Sequence, residues 1–236
     1  MLTYHDILAS VAVRINALGN SVLWNATTAA GLQTVYEQRP LIDEMFGSSI
    51  FPMNAIRDAI IATEGKMAEA VAQSSNRTLR AYLRDLSAGL ATGDPLPTVG
   101  ATASKPIIGN LGAVLDGDDG TLCTPQPIPV VRNRLLSPNN FLVPAYYFAI
   151  DGATIIHTRT TVNLECCVYS ASDQTTEFDR NNPILFPDAL SEVYLNGSMA
   201  LLIRDDEFVE QATRYGAYFT TFLSTLAPAT MEGQAA

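Results

Sequence analysis

Apolar residues at helical spacing recur from the start of the chain, stop at Gly93-Asp94-Pro95, and resume at Phe186. This interruption constrains the fold more than any other feature, because backbone rich in Gly, Pro, Asn and Asp does not propagate a helix. The sequence predicts a mainly α protein of the α+β class. Residues 1–92 and 186–227 would form a helical bundle, 93–185 a loop-rich β insertion, and 228–236 a flexible tail.

The closing stretch anchors this reading. Phe208, Ala212, Tyr215, Phe219, Phe222 and Leu226 recur at steps of four and three and so share one aromatic helical face. Before them Leu190, Tyr194, Gly197 and Leu201 form a second stripe, in which Gly197 permits close approach of another helix. Pro187-Asp188 and Asp205-Asp206 supply first-turn anions and caps for the two helices. At the other end, Thr3 and Asp6 form a capping box with Leu2 and Ile7 as a staple. Ile7, Leu8, Val11, Ile15 and Leu18 give the buried face, and Gly19-Asn20 ends the helix. Trp24 reads as an anchor packed in a connection. A second segment starts near Thr28 and ends around Pro40, with an apolar turn over 41–46.

Ile56, Ile60, Met67 and Val71 define an amphipathic helix, with Asp58, Glu64 and Glu69 assigned to its other faces. Ser74-Ser75-Asn76 then offers caps for one more helix, with Leu79, Tyr82, Leu83, Leu86 and Leu90 inward. Arg77, Arg80 and Arg84 follow one edge of it, as a solvated face or as a contact for phosphate or carboxylates.

In the insertion, Pro125, Pro127 and Pro129 favour extended backbone, and Val130, Val131, Leu135 and Leu136 are expected as a short strand or laid across another surface. Asp116, Asp118 and Asp119 between glycines read as a polar turn, since EF-hand spacing and its bidentate glutamate are missing. Tyr146, Phe148 and Ile150 alternate with Tyr147 and Ala149, Asp151-Gly152 makes a two-residue turn, and Ile155 and Ile156 lead the return strand. A third strand over 162–169 would complete a three-stranded antiparallel sheet with open edges suited to a second copy of the chain.

The chemistry-bearing residues are sparse. His5 and His157 are the two histidines, and Cys166-Cys167 would face opposite ways on a strand, a poor geometry for a disulfide. No G-x-S-x-G, Walker A or G-x-G-x-x-G sequence occurs. The expectation is no catalytic residue, no cofactor and no metal site, with a carboxylate-based hydrolase left open. The net charge of -10 and two lysines, Lys66 and Lys105, leave no basic tract to neutralise phosphates, although an acidic lining suits a channel that DNA traverses without sticking. No apolar run reaches the roughly 18 to 20 residues of a membrane span. No export signal is read, and three cysteines without a framework point to a reducing compartment.

Two segments, Tyr146-Tyr-Phe-Ala-Ile-Asp-Gly-Ala-Thr-Ile-Ile-His157 and Phe186-Pro-Asp-Ala-Leu through Asp205-Asp-Glu-Phe to Tyr215 and Leu226, resemble the head-to-tail adaptor, or neck connector, proteins of tailed bacteriophages. Tyr4-His-Asp-Ile7 and the Trp24 connection fit more loosely. The resemblance implies a virion structural protein, not an enzyme, that assembles in the host cytoplasm into a ring of twelve beneath the portal and carries the genome's channel on to a downstream tail or neck protein. It assigns the hairpin residues Tyr146, Tyr147, Phe148, Asp151, Gly152, Ile155 and Ile156 to an inter-subunit contact or rim, and the segment Ala227, Pro228, Ala229, Thr230 and Met231 to the portal contact. Alternatives are another neck component, such as a stopper or minor tail protein. The long insertion leaves podovirus-type and myovirus- or siphovirus-type positions both open.

Overall fold

The computed structural model describes residues 1–4, 6–8, 10, 11, 14, 53–87, 89–102, 105–109, 112–136, 145–171, 183–203 and 209–226. Tyr4, Asp6, Ile7, Leu8, Ser10, Val11 and Arg14 are helical. Then follow helix α1 (Met53–Gln73), a single turn α2 (Arg77–Arg80), strands β1 (Arg84–Leu86), β2 (Ile107–Ile108), β3 (Val114–Asp116) and β4 (Thr124–Pro125), and helix α3 (Ile128–Leu136). Strands β5 (Tyr147–Asp151), β6 (Thr154–His157) and β7 (Val162–Val168) precede a 3-10 turn (Asp188–Leu190) and helices α4 (Ser191–Leu202) and α5 (Val209–Thr225). The protein is of the α+β class, with antiparallel pairing dominant in its sheets. It divides into two compact units, Met1–Ala70 with Ala171–Ala236, and Val71–Ser170.

In the first unit the expected capping box forms. Thr3 N–H donates to Asp6 Oδ2 at 2.9 Å, and Asp6 N–H donates to Thr3 Oγ1 at 3.2 Å. Ile7, Leu8 and Val11 are buried behind it, as are Ile56, Ile60 and Met67 of α1. Asp188 opens the 3-10 turn, as expected of a first-turn anion, but no side chain caps that turn. The Asp188 carboxylate accepts from Leu2 N–H at 2.7 Å and pairs with the terminal amine at 3.3 Å. Gly197 of α4 is a point of close helix approach, as its place in the stripe suggests. A Cβ there would lie 2.4 Å from Thr63 Cγ2 of α1 and 3.0 Å from the Phe219 ring of α5.

The second unit departs from the expected organisation. It runs over Val71–Ser170, and the segment expected as a helix inward of Leu79 to Leu90 is helical for one turn only. Asn76 does cap that turn, accepting from Leu79 N–H at 3.1 Å. From Leu83 burial alternates with period two: Leu83, Asp85 and Ser87 are buried while Arg84 and Leu86 are exposed. Arg84 therefore leaves the expected arginine edge and pairs with Glu165 at 3.4 Å.

Backbone pairing runs continuously round this unit. β7 is flanked by β1 on one side and by β2 and β3 on the other, all antiparallel. The far edge of β3 takes Leu122 and Cys123, whose N–H reaches Val114 O at 2.8 Å. β4 follows and pairs in parallel with β5, and β5 forms the hairpin with β6. On the far edge of β6, Gly93 N–H donates to Ile155 O at 2.8 Å, Ile155 N–H donates to Asp94 O at 3.0 Å, and Pro95 bridges Thr154. Leu90 then exchanges both backbone bonds with Val162, at 2.7 and 2.9 Å, which returns the circuit to β7. The two sheets thus close into one small barrel, a solution that removes exposed strand edges.

Three expectations change accordingly. The hairpin and β7 do not make one three-stranded sheet, because residues 93–96 already occupy the free side of β6, and the third neighbour of the hairpin is β4. The loop of the hairpin is Gly152-Ala153, one residue later than Asp151-Gly152, with Asp151 paired to Thr154 and Gly152 at φ 64°. Residues 128–136 are a helix, not a strand. Pro127 accepts from Val131 N–H at 3.2 Å and Pro129 falls in the first turn, where a missing donor costs nothing.

Alternation along the hairpin places its two faces. Tyr146, Phe148 and Ile155 join Val114, Cys123, Val162, Leu164, Leu90 and Leu96 in the barrel interior. Tyr147, Ala149 and Ile156 face outward onto Val131 and Ile128 of α3.

Candidate functional site

The residues assigned to a rim hairpin serve mainly the barrel itself. Ile155 and Ile156 are buried, and Tyr146, Tyr147 and Phe148 are half-buried against the interior or α3. Asp151 pairs with Arg132 of α3 at 2.6 Å, which fixes the turn end of the hairpin on the helix. Gly152 is exposed, as are its hairpin neighbours Ile150 and Ala153. Ala227, Pro228, Ala229, Thr230 and Met231 lie outside the described residues, as do His5, Trp24, Asp205, Asp206 and Phe208.

A polar cluster sits at the mouth of the barrel interior. The Arg159 guanidinium grips the fully buried Asp116 with two nitrogens, at 2.9 and 2.8 Å, and lies 4.5 Å over the Tyr146 ring. Tyr146 O–H donates to Asp119 Oδ2 at 2.8 Å, and Thr121 N–H donates to Asp119 Oδ1 at 2.8 Å. The hydrogen bonds from Thr121, with that from Tyr146, hold the Asp119 carboxyl down to about 2. This pinned turn ties the Asp116–Asp119 loop to the start of the hairpin. Sequence reading placed the turn but missed Arg159, which stands forty residues away from it in a segment without pattern.

In the first unit Glu64 is fully buried, against the expectation that it lies on a polar face of α1. Its carboxylate accepts from Tyr4 O–H at 2.6 Å and Tyr194 O–H at 2.5 Å. The signal was present: 60, 64, 67 and 71 form one continuous helical stripe, so Glu64 belongs with Ile60 and Met67. Burial, with the Glu64 charge beside it, pushes the Tyr194 phenol well above its usual range. Without solvent access the group fastens the N-terminal helical residues and α4 to α1 rather than meeting a substrate.

The thiols are equally inward. Cys123, Cys166 and Cys167 are free and buried, and burial with Asp85 nearby pushes Cys166 up to about 11, far from a reactive thiolate. Among the described residues, no group of three His, Cys, Asp or Glu side chains is placed to hold a metal ion.

Some of the accessible surface is apolar. Helix α5 fully buries only Phe219, while Tyr215 and Phe222 on the same face stay half-exposed and Tyr218 between them is 51% exposed. At i, i+3 and i+7 these three aromatics make a ridge along one side of the helix. Tyr218 lies off the stripe read from the sequence, at its margin. The chain matches no protein-family model and no curated protein sequence.

Proposed function

We propose that the chain is a head-to-tail adaptor of a tailed bacteriophage, a virion structural protein that assembles as a ring beneath the portal and continues the genome's channel toward the tail. The observation that carries this reading is the half-covered aromatic ridge Tyr215, Tyr218 and Phe222. Aromatics that are packed on one side and open on the other suit a subunit interface, where buried aromatic area supplies most of the affinity. In this reading the helices of the first unit form a bundle that makes the ring body, and the barrel is a self-contained module inserted into it in chain order. The acidic balance of the chain suits a channel that DNA crosses without sequence-specific binding. The segment Ala227 to Met231 takes the portal contact.

The ridge is tested with Tyr218→Glu. The exposed position tolerates the charge, so the variant keeps its circular dichroism and melting temperature but loses self-association, alone or on purified portal protein. Association equal to that of the unaltered chain overturns the ridge as the interface. Removal of Thr230 to Ala236 is expected to weaken portal attachment while leaving self-association intact.

A further inference from the structure

His157 ends β6 directly opposite Phe148, on the strand face that Ile155 turns into the barrel. It is completely buried, and neither ring nitrogen has a hydrogen-bond partner among the described residues. An imidazole in this position lacks well-formed bonds to compensate burial, and adding a proton would place a charge out of water, with only the Ala91, Leu90 and Arg159 carbonyls and the more distant Asp94 charge to offset it. The ring also lies at the seam that closes the barrel. Its own backbone is held there by Thr92, whose hydroxyl accepts from His157 N–H at 2.7 Å and donates to His157 O at 2.8 Å. Gly93, Asp94 and Leu96 continue the same seam along Ile155 and Ala153.

We propose that His157 is an acid-sensitive latch, whose protonation opens the seam between β6 and residues 92–96 and frees the β6 edge for pairing with another strand. This inference rests on the barrel alone and does not depend on the adaptor reading.

The charges around the ring support a neutral resting state. Asp94 is the carboxylate that acts on it from the facing segment, and one of its oxygens is taken by Ala91 N–H at 2.7 Å. On the chain beyond β6, Arg159 is committed to Asp116. From β5 the facing residue is Phe148, and the titratable members of the interior are the Cys123 thiol, which burial pushes up, and the Tyr146 phenol, which its bond to Asp119 pushes up, so both stay neutral. Burial lowers the basicity of His157 below the ordinary 6.5, outweighing the opposite pull of the Ala91, Arg159 and Leu90 carbonyls and of Asp94. The open form then binds the proton more readily than the closed one. Closure is complete above 6.5 and weakens as pH falls through it, and the weakening ends below the folded-state value.

The test is amide hydrogen exchange of the full chain at Gly93, Leu96 and Ile155, corrected for intrinsic rates, with Glu165 in the barrel's centre as reference. The seam opening constant is expected to rise by up to about tenfold per pH unit below 6.5, and to lose that dependence in His157→Gln. Identical pH dependence in the two proteins overturns the proposal. Should His157→Gln fail to fold, ring titration by NMR decides on the unaltered protein, with His5→Gln separating the two signals. A His157 midpoint below 6.5 that coincides with seam exchange supports the latch, and one at or above 6.5, or one that seam exchange does not follow, overturns it.

Discussion

At Gly197 one carbon separates a fitted helix contact from a strained one. Alanine would raise helix propensity by about 1 kcal/mol, but its Cβ would meet Thr63 Cγ2 at 2.4 Å and the Phe219 ring at 3.0 Å. Overpacking of this kind costs about 1–3 kcal/mol, so Gly197→Ala is expected to lower the denaturation midpoint despite the better helix former. Thr63→Ser in the same chain removes the methyl that clashes and keeps the hydroxyl that donates to Ala59 O at 2.7 Å. The double variant should recover part of the loss, and additive losses would show that the contact is not the cause. Asp119 gives a second residue-scale expectation. Its carboxyl lies below the ordinary 3.8, so the turn it pins is at full strength above that value and weakens as pH falls toward about 2. In an NMR titration Thr121→Val should raise the midpoint more than Tyr146→Phe does, because the Thr121 bonds are the larger cause.

Among the elements, α3 depends on one side chain. Val131 is its only fully buried residue, seated on Ala149 and Ile156 of the hairpin. Val131→Ala should cost about 1.5–3 kcal/mol in equilibrium unfolding, from lost burial plus the space left beneath the helix. A cost near zero would mean that the Arg132–Asp151 pair, and not packing, holds the helix. The same element shows where sequence reading reaches its limit. Three prolines suggested extended chain over 125–136, yet Pro127 and Pro129 fall where a helix needs no donors, and only the position of the helix start distinguishes the two outcomes. Leu79, Leu83, Leu86 and Leu90 mimic helical spacing while Leu83, Asp85 and Ser87 obey the strand period, and the pairing partner in β7 decided between them. By contrast, the Thr3–Asp6 box, the α1 stripe, the hairpin strands and the close approach at Gly197 were legible, because the signal for each lies within a few residues of the chain.

For the molecule as a whole, the closure of the barrel was not legible, because each seam joins segments far apart in sequence. Leu90 meets Val162, and Asp94 meets Ile155, through backbone groups that carry no residue signature. Closure also shifts where assembly is to be sought. With the edge of β6 covered and the hairpin aromatics packed within their own unit, the ridge on α5 becomes the strongest candidate contact. Glu64, legible in its stripe but read as a surface charge, belongs instead to the fastening of the first unit. The central claim, that this chain works as a ring-forming adaptor, is most directly tested by its solution mass with and without portal protein, paired with negative-stain imaging. Twelve chains of 25.4 kDa, about 300 kDa as a closed ring, formed alone or on the portal, is the predicted result. A monomer that ignores portal protein would contradict it.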